Sequence, residues 1–324
     1  MDSLQLSSTF HHTTSTHKYS IRWTSLGTTT SPPLIFIHGT PWSSLVWHSY
    51  AKPLSKHFHV YLFDNPGFGQ SPLGTPLREE REEEPITKEV ALDADLAQQS
   101  EVFAALYKFW ARDWHSHSDA HEGGKANANA NVKTKTEAHV VAHDHGGLMA
   151  LRAHLVHGCE FASLCMMNVV ALGPFGQPLF KLIAENEGVF NSLTGPVFEG
   201  VVESYIRDAA FTELSKETME VLKRPWTESE EGRKGFVRQM VQANSRSTEE
   251  VEGRYHEVGN KMPVLVVWGE EDRWIPVETA GRLKERLNAR DVVLIEGAGH
   301  LVMYDQPGKL GVELGWWLSS VAIH

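Results

Sequence analysis

The chain has 324 residues, 41% of them hydrophobic, and a formal net charge of −11 at pH 7. That length and apolar content support one large α/β domain with an insertion, or two small domains. The acidic balance, with no offsetting basic cluster, excludes a nucleic-acid surface and fits a neutral small-molecule partner. Cys159 and Cys165 are the two cysteines; their spacing matches neither a disulfide framework nor a metal or redox pair, so both read as structural. Residues 1–20 are rich in Ser, Thr and His and lack an apolar secretory core. No stretch reaches the length of a membrane span. A cytoplasmic protein with no membrane association is expected, and the oligomeric state is not encoded in any readable pattern.

Residues 19–25 and 34–37 read as strands, the second running into His38-Gly39-Thr40-Pro41. A helix is predicted over 43–56. Residues 59–63 form the next strand, leading into Asp64-Asn65-Pro66-Gly67-Phe68-Gly69-Gln70-Ser71, and a helix over 91–111 follows. Residues 113–136, with His115, His117 and His121 and then alternating Asn and Ala, are compositionally biased and read as a solvated loop. A weak metal site on those histidines is the less favoured alternative. Strands over 138–142 and 163–168 bracket a helix over 147–157. Strands over 264–268 and 292–295, with helices over 277–287 and 309–321, complete the chain. The strands are mostly short, apolar throughout and rich in β-branched residues, as parallel strands buried on both faces should be. Their alternation with helices predicts an α/β fold with a doubly wound, mostly parallel sheet.

Residues 171–255 interrupt that rhythm. They carry helical patterns without strand signals and are too long for a connecting loop, so they are read as an inserted helical lid. The expected organisation is a core over 1–170, containing the 113–136 insert, then a lid over 171–255 and the rest of the core over 256–324.

The apolar run ending at Ala142-His143-Asp144-His145-Gly146-Gly147 stops in a small-x-nucleophile-x-small turn ahead of a helix. The small residues at Ala142 and Gly146 let strand and helix backbones approach around a sharp bend. Asp144 stands where other versions of this turn carry serine. A carboxylate suits displacement at saturated carbon, because the ester it forms can then be cut by water. Two further groups follow strands: Asp272 in Gly269-Glu270-Glu271-Asp272, and His300 in Glu296-Gly297-Ala298-Gly299-His300. Nucleophile, acid and histidine, each after a strand and in that order, make a candidate triad of Asp144, Asp272 and His300. The His38–Pro41 turn offers a backbone donor at Thr40, and the N–H of His145 is the expected second oxyanion donor. The Thr40–Pro41 bond is a candidate cis peptide.

On these motifs, from residue 19 to the C-terminus, the chain resembles the α/β-hydrolase fold, in its epoxide hydrolase and haloalkane dehalogenase branch. The resemblance implies that Asp144 forms an alkyl-enzyme ester, that His300 activates water against it, that Asp272 holds His300, and that no cofactor is needed. Dehalogenases of that branch carry Asn after the His-Gly pair and Trp after the nucleophile; here those positions are Thr40 and His145. Epoxide hydrolases use lid tyrosines as proton donors. Tyr205 is the one well inside 171–255, Tyr255 lies at the end, and 235–238 has none. Tyr205 and Trp226 are the candidate proton donor or substrate contacts. His145 is either a polar contact or simply packed, and the aromatics Phe190, Phe198, Trp226 and Phe236 either line a pocket or form lid core.

Other readings are weaker. His143-Asp144-His145 has an H-x-H look, but no second ligand cluster follows at metal spacing. Gly67-Phe68-Gly69 is not a dinucleotide turn, because Pro72 takes the third glycine's place. A non-catalytic ligand-binding relative would be expected to have lost part of the triad. Ester, lactone or carbon–carbon hydrolysis would use Asp144 as a base or transient anhydride, poorer uses of a carboxylate.

Overall fold

The computed structural model describes residues 4–77, 93–118, 136–174, 176 and 178–322. Among them, nine strands form one sheet: β1 (Ser8–Thr13), β2 (His17–Leu26), β3 (Pro33–Ile37), β4 (His59–Phe63), β5 (Thr75–Pro76), β6 (Ala138–His143), β7 (Phe161–Met167), β8 (Val264–Gly269) and β9 (Asp291–Ile295). The order is β1-β2-β4-β3-β6-β7-β8-β9, with β5 paired to β2. β1, β2 and β4 pair antiparallel, and every pair from β4 to β9 is parallel. This is the mostly parallel α/β sheet that the apolar strand runs predicted.

Burial explains those runs. Every residue of β3, β4, β6 and β8 is buried. Along β6, Val140 and Ala142 pack into one apolar cluster and Val141 into the other, on the opposite face of the sheet. Helices α2 (Leu96–Ser118), α3 (His145–Leu155) and α11 (Glu278–Leu287) cover the first face. A short 3-10 turn (Ser44–Trp47), α1 (His48–Leu54) and α13 (Pro307–Val321) cover the second. On α11 the buried residues Thr279, Ala280, Leu283 and Leu287 fall on one stripe, and Asn288 ends the helix in the left-handed conformation at φ 50°.

Three expectations need correction. The predicted helix over 43–56 is split into the 3-10 turn and α1. The predicted 91–111 helix starts later and continues to Ser118, so the polar tract does not begin as a loop at 113. Trp110 and Trp114 bury against the sheet and hold the helix on past its expected end. His121 and residues 119–135 lie outside the described residues. The N-terminal segment also forms β1, whose sixfold alternation of half-buried and exposed residues suits a sheet edge.

Among the described residues seven helices stand between β7 and β8, the first six being α4 (Pro178–Glu185), α5 (Glu187–Asn191), α6 (Gly195–Ala209), α7 (Lys216–Thr227), α8 (Glu230–Gln242) and α9 (Arg246–Glu252). Ser215 and Ser229 start α7 and α8 by accepting the backbone N–H of Thr218 (3.1 Å) and Gly232 (2.9 Å). α10 (His256–Lys261) leads back to the sheet, and α12 (Val302–Asp305) precedes α13. No helix among the described residues is long and apolar enough to cross a membrane.

Candidate active site

The strand order reverses its direction of growth between β3 and β6, since the chain passes from β3 to β4 on one side and later adds β6 on the other. The loops leaving β3 and β6 therefore diverge, and their carboxyl ends form the crevice where open α/β sheets bind ligands. Thr40 follows β3 and Asp144 follows β6. Asn168, Asp272 and His300 follow β7, β8 and β9. Sheet order thus gathers residues distant in sequence at one edge.

Asp144 sits at φ 52° and ψ −127°, a backbone state costly for a residue with a side chain. Small neighbours permit it. A Cβ on Gly146 would lie 2.9 Å from the carbonyl oxygens of Ile37 and His38, and one on Gly39 would collide with the Asp144 carboxyl. The Thr40 N–H donates to Asp144 Oδ2 at 2.5 Å, and the Thr40–Pro41 bond is cis. Asp144 Oδ1 lies 3.6 Å from His300 Nε2. The loop bearing Thr40 is pinned from below: Asn65 N–H donates to His38 Nε2 at 2.9 Å. Asp64 accepts from Ser44 N–H and Gln70 N–H, each at 2.7 Å.

His300 is held from three sides. Its Nδ1–H donates to Asp272 Oδ2 at 2.9 Å. His143 Nε2–H donates to the His300 carbonyl at 2.9 Å, with the two rings 4.8 Å apart. The Trp274 ring lies 4.9 Å away. The turn before His300 is fixed by carboxylates, since Gly299 N–H donates to Asp305 and the N–H groups of Gly297 and Ala298 donate to Glu271, all at 2.9 Å. Asp272 is saturated: Oδ2 also accepts from Asn168 Nδ2 at 2.7 Å, and Oδ1 from the N–H groups of Trp274 (2.8 Å) and Ile275 (3.0 Å).

Burial alone would raise the Asp144 pKa, but the surrounding imidazoles and the His300 contact hold it well below the usual carboxylate range. Burial disfavours a charged His300, yet Asp272 and Asp144 outweigh it and lift its pKa to about 10. Burial opposes ionisation of Asp272 too, and His300, Asn168 and the Ile275 N–H overcome it. His143 is driven by burial down to about 3, and burial lowers His145 despite Asp144. At neutral pH the positive charge facing the two carboxylates is therefore carried by His300.

The helices after β7 close over these groups. Tyr205 on α6 stacks on Trp274 at 4.3 Å, and Trp274 Nε1–H donates to Asp208 on the same helix at 2.9 Å. The Tyr205 hydroxyl is buried and lacks a hydrogen-bond partner among the described residues. Burial raises its pKa well above 10, with the Asp144 charge adding to the shift. His145 packs its ring 6.2 Å from Phe180 of α4. Trp226 commits its N–H to the Pro41 carbonyl at 2.8 Å and sets its ring against Phe68 and Phe236, so it anchors the helices and offers only its ring to a ligand. Phe198, Phe236 and Trp226 are fully buried together. Tyr255 is remote from this group: its hydroxyl donates to the Ala171 carbonyl at 2.5 Å.

The sheet edge thus brings together Asp144, Asp272, His300, Thr40 and His145, with Tyr205 and Trp226 above them. Asn168, Trp274 and His143 were not expected. Asn168 ends a predicted strand, a signal that a polar residue there faces the crevice; Trp274 and His143 carried no such signal. Cys159 and Cys165 are buried, and neither forms a disulfide among the described residues. Among the described residues no cluster of three or more His, Cys, Asp or Glu is arranged to hold a metal. Clefts of about 190 Å³ around His59 and 290 Å³ around Glu137 open near strand starts, away from these groups.

The chain matches the family model described as "Alpha/beta hydrolase family" over residues 34–312. An alpha/beta hydrolase fold protein from Burkholderia ambifaria is 30% identical, covering 96% of this chain and 97% of its own, with a TM-score of 0.78. A haloalkane dehalogenase from Bradyrhizobium elkani (17% identity, 98% and 99% coverage, TM-score 0.69) and a thermophilic esterase from Thermogutta terrifontis (18%, 97% and 99%, 0.65) share the fold. A curated relative, pimeloyl-[acyl-carrier protein] methyl ester esterase from Aeromonas salmonicida, is 45% identical over 42 residues, only 13% of this chain and 16% of its own length.

Proposed function

The chain belongs to the alpha/beta hydrolase family, and from that premise we propose that it hydrolyses a small, largely apolar substrate through a covalent ester on Asp144. Epoxide opening is the leading reaction. The reading is carried by the disposition of the Asp144 carboxyl: Oδ2 accepts from the Thr40 N–H while Oδ1 faces the imidazole of His300. That is how a nucleophile is poised, with one oxygen in the oxyanion site and the other free to attack.

In the first half-reaction Asp144 Oδ1 bonds to a ring carbon as the carbon–oxygen bond of the epoxide breaks. The leaving oxygen takes the Tyr205 proton. A buried hydroxyl without a protein partner and with a raised pKa keeps that proton until an alkoxide develops beside it. Esterification removes the Asp144 charge, one of the groups that hold the proton on His300. The imidazole then returns a proton to Tyr205 and becomes a base.

In the second half-reaction neutral His300 takes a proton from water, and the hydroxide attacks Asp144 Cγ. Negative charge develops on Oδ2, where Thr40 N–H, with His145 N–H as the second donor, stabilises it. Collapse breaks the ester bond, and the expelled oxygen takes the proton of the newly added hydroxyl; the diol leaves, Asp144 is again a carboxylate, and the His300 cation again lies between two carboxylates. Asp272 keeps Nε2 of His300 as the reacting nitrogen throughout. Helices α4 to α8 act as the lid, and ligand access requires them to part from the core.

Dehalogenation is the second reading. The indole N–H of Trp42 is buried without a partner among the described residues, and its ring stacks 6.1 Å from Trp274, so a donor for a departing halide is available although Thr40 and His145 are not the expected ones. Ester, lactone or carbon–carbon hydrolysis comes third. The test is a His300→Gln variant incubated with epoxides and haloalkanes and weighed intact. An adduct of substrate mass on Asp144 is expected; absence of an adduct across a broad panel refutes the alkyl-ester route.

A further inference from the structure

Gln239 lies on α8 and is 4% exposed, yet both its amide nitrogen and its amide oxygen are buried and without a hydrogen-bond partner among the described residues. A buried amide left in this state carries an uncompensated desolvation cost for each unmet group, so it calls for an explanation. Its neighbours on the helix are at least partly matched, although Arg238 Nε is also buried without a hydrogen-bond partner among the described residues. Arg238 pairs with Asp93 at 3.0 Å, and Gln242 accepts the Ala94 N–H at 2.8 Å and donates to Asp93 at 3.2 Å.

Helix geometry fixes where the amide goes. A helical side chain leans back over the turn before it, toward positions i−3 and i−4. For Gln239 these are Phe236 and Gly235. The Phe236 ring lies 5.7 Å from Trp226 and 6.1 Å from Tyr205. A Cβ on Gly235 would stand 3.6 Å from the Trp226 ring. Gly235 has no side chain to fill the turn that Gln239 leans over, and Trp226, which that turn faces, is bonded to the Pro41 carbonyl next to Thr40.

We infer that Gln239 is a specificity-determining residue, and that the natural substrate carries a neutral group with an adjacent hydrogen-bond acceptor and donor, of the carboxamide type. An amide facing an amide satisfies all four groups at once, whereas a hydrocarbon leaves the penalty in place. The group is neutral because the nearby Arg238 charge is already matched by Asp93. The inference rests on the epoxide-opening reading for the rest of the substrate but not for this contact.

The test separates the two. Benzamide is titrated calorimetrically into the full-length wild-type chain and into Gln239→Met, with Gln239→Leu as a second variant should the first not fold. The wild-type chain is expected to bind benzamide about tenfold more tightly than the variant, the equivalent of roughly one hydrogen bond. N,N-dimethylbenzamide, which has no N–H, should lose that advantage. Equal affinities, the result if Gln239 holds only a buried water, overturn the inference, as does failure of the wild-type chain to bind benzamide. A styrene oxide bearing a ring carboxamide is then offered as substrate. If benzamide discriminates but this epoxide is not opened, the subsite stands and the reaction reading falls.

Discussion

Neutralising Asp272 probes the account through a network whose every bond is known. The Asp272 carboxylate accepts four hydrogen bonds, from His300, Asn168 and the N–H groups of Trp274 and Ile275. In Asp272→Asn the remaining oxygen suits the two backbone donors. The new NH₂ group then faces Asn168 Nδ2 and His300 Nδ1, both donors in the wild-type chain. Asn168 resists turning over, because its own oxygen accepts the Gly269 N–H at 3.3 Å. The easier response is for His300 to move its proton to Nε2, the nitrogen that must take a proton from water. Loss of the Asp272 charge also removes the leading support for a His300 pKa of about 10. A wrong tautomer of this kind reduces turnover on the order of 10⁴-fold in acid–histidine pairs. The first half-reaction does not need His300 as a base, so the alkyl ester should build up and be visible by intact mass in a rapid-quench experiment. Turnover within tenfold of wild type, with no ester accumulating, would refute this reasoning.

Tyr205→Phe should slow epoxide opening by about 10²-fold or more while leaving the melting temperature unchanged or slightly higher, because the hydroxyl has no partner to lose; an unchanged opening rate excludes Tyr205 as donor. Gly146→Ala brings a methyl to 2.9 Å from two carbonyl oxygens and should destabilise the fold by about 1–3 kcal/mol in urea denaturation, whereas a loss under about 0.5 kcal/mol would mean the turn is not tightly packed. Stability should peak near pH 6.5. Above it, the contribution of His300, complete below its unfolded pKa of 6.5, is lost as pH rises through about 10. Below it, His139 and His143, held neutral by burial with values lowered to about 4 and 3, favour the unfolded chain as they demand protons. Asp272→Asn should flatten the alkaline limb, and a wild-type melting temperature still climbing at pH 9 would contradict the assignment.

Much of this was legible in the residues. Parallel strands buried on both faces leave unbroken apolar runs, so β3, β4, β6 and β8 were readable to within a residue or so. The small residues around Asp144 marked the bend, because only a close backbone approach requires them. What the sequence hid depends on the packing of distant segments. β1 is polar at every position except Phe10 and looks like coil until a partner strand exists. Trp110 and Trp114 extend α2 past its expected end because the sheet offers them burial. Trp274 and Asp208 meet only after the helices fold over β8, and Trp226 proved to spend its donor on Pro41 instead of presenting it to a ligand. Gln239 resembles any polar residue of an amphipathic helix until the described residues around it are seen to offer its amide no hydrogen bond.

A single turnover in oxygen-18 water tests the proposed chemistry most directly. If Asp144 becomes esterified, the heavy atom enters its carboxyl group, recovered in the peptide that contains it, and the first equivalent of product carries only ordinary oxygen. Heavy oxygen in that first product, with the Asp144 peptide unlabelled, would mean that water attacks the substrate directly and that no ester forms.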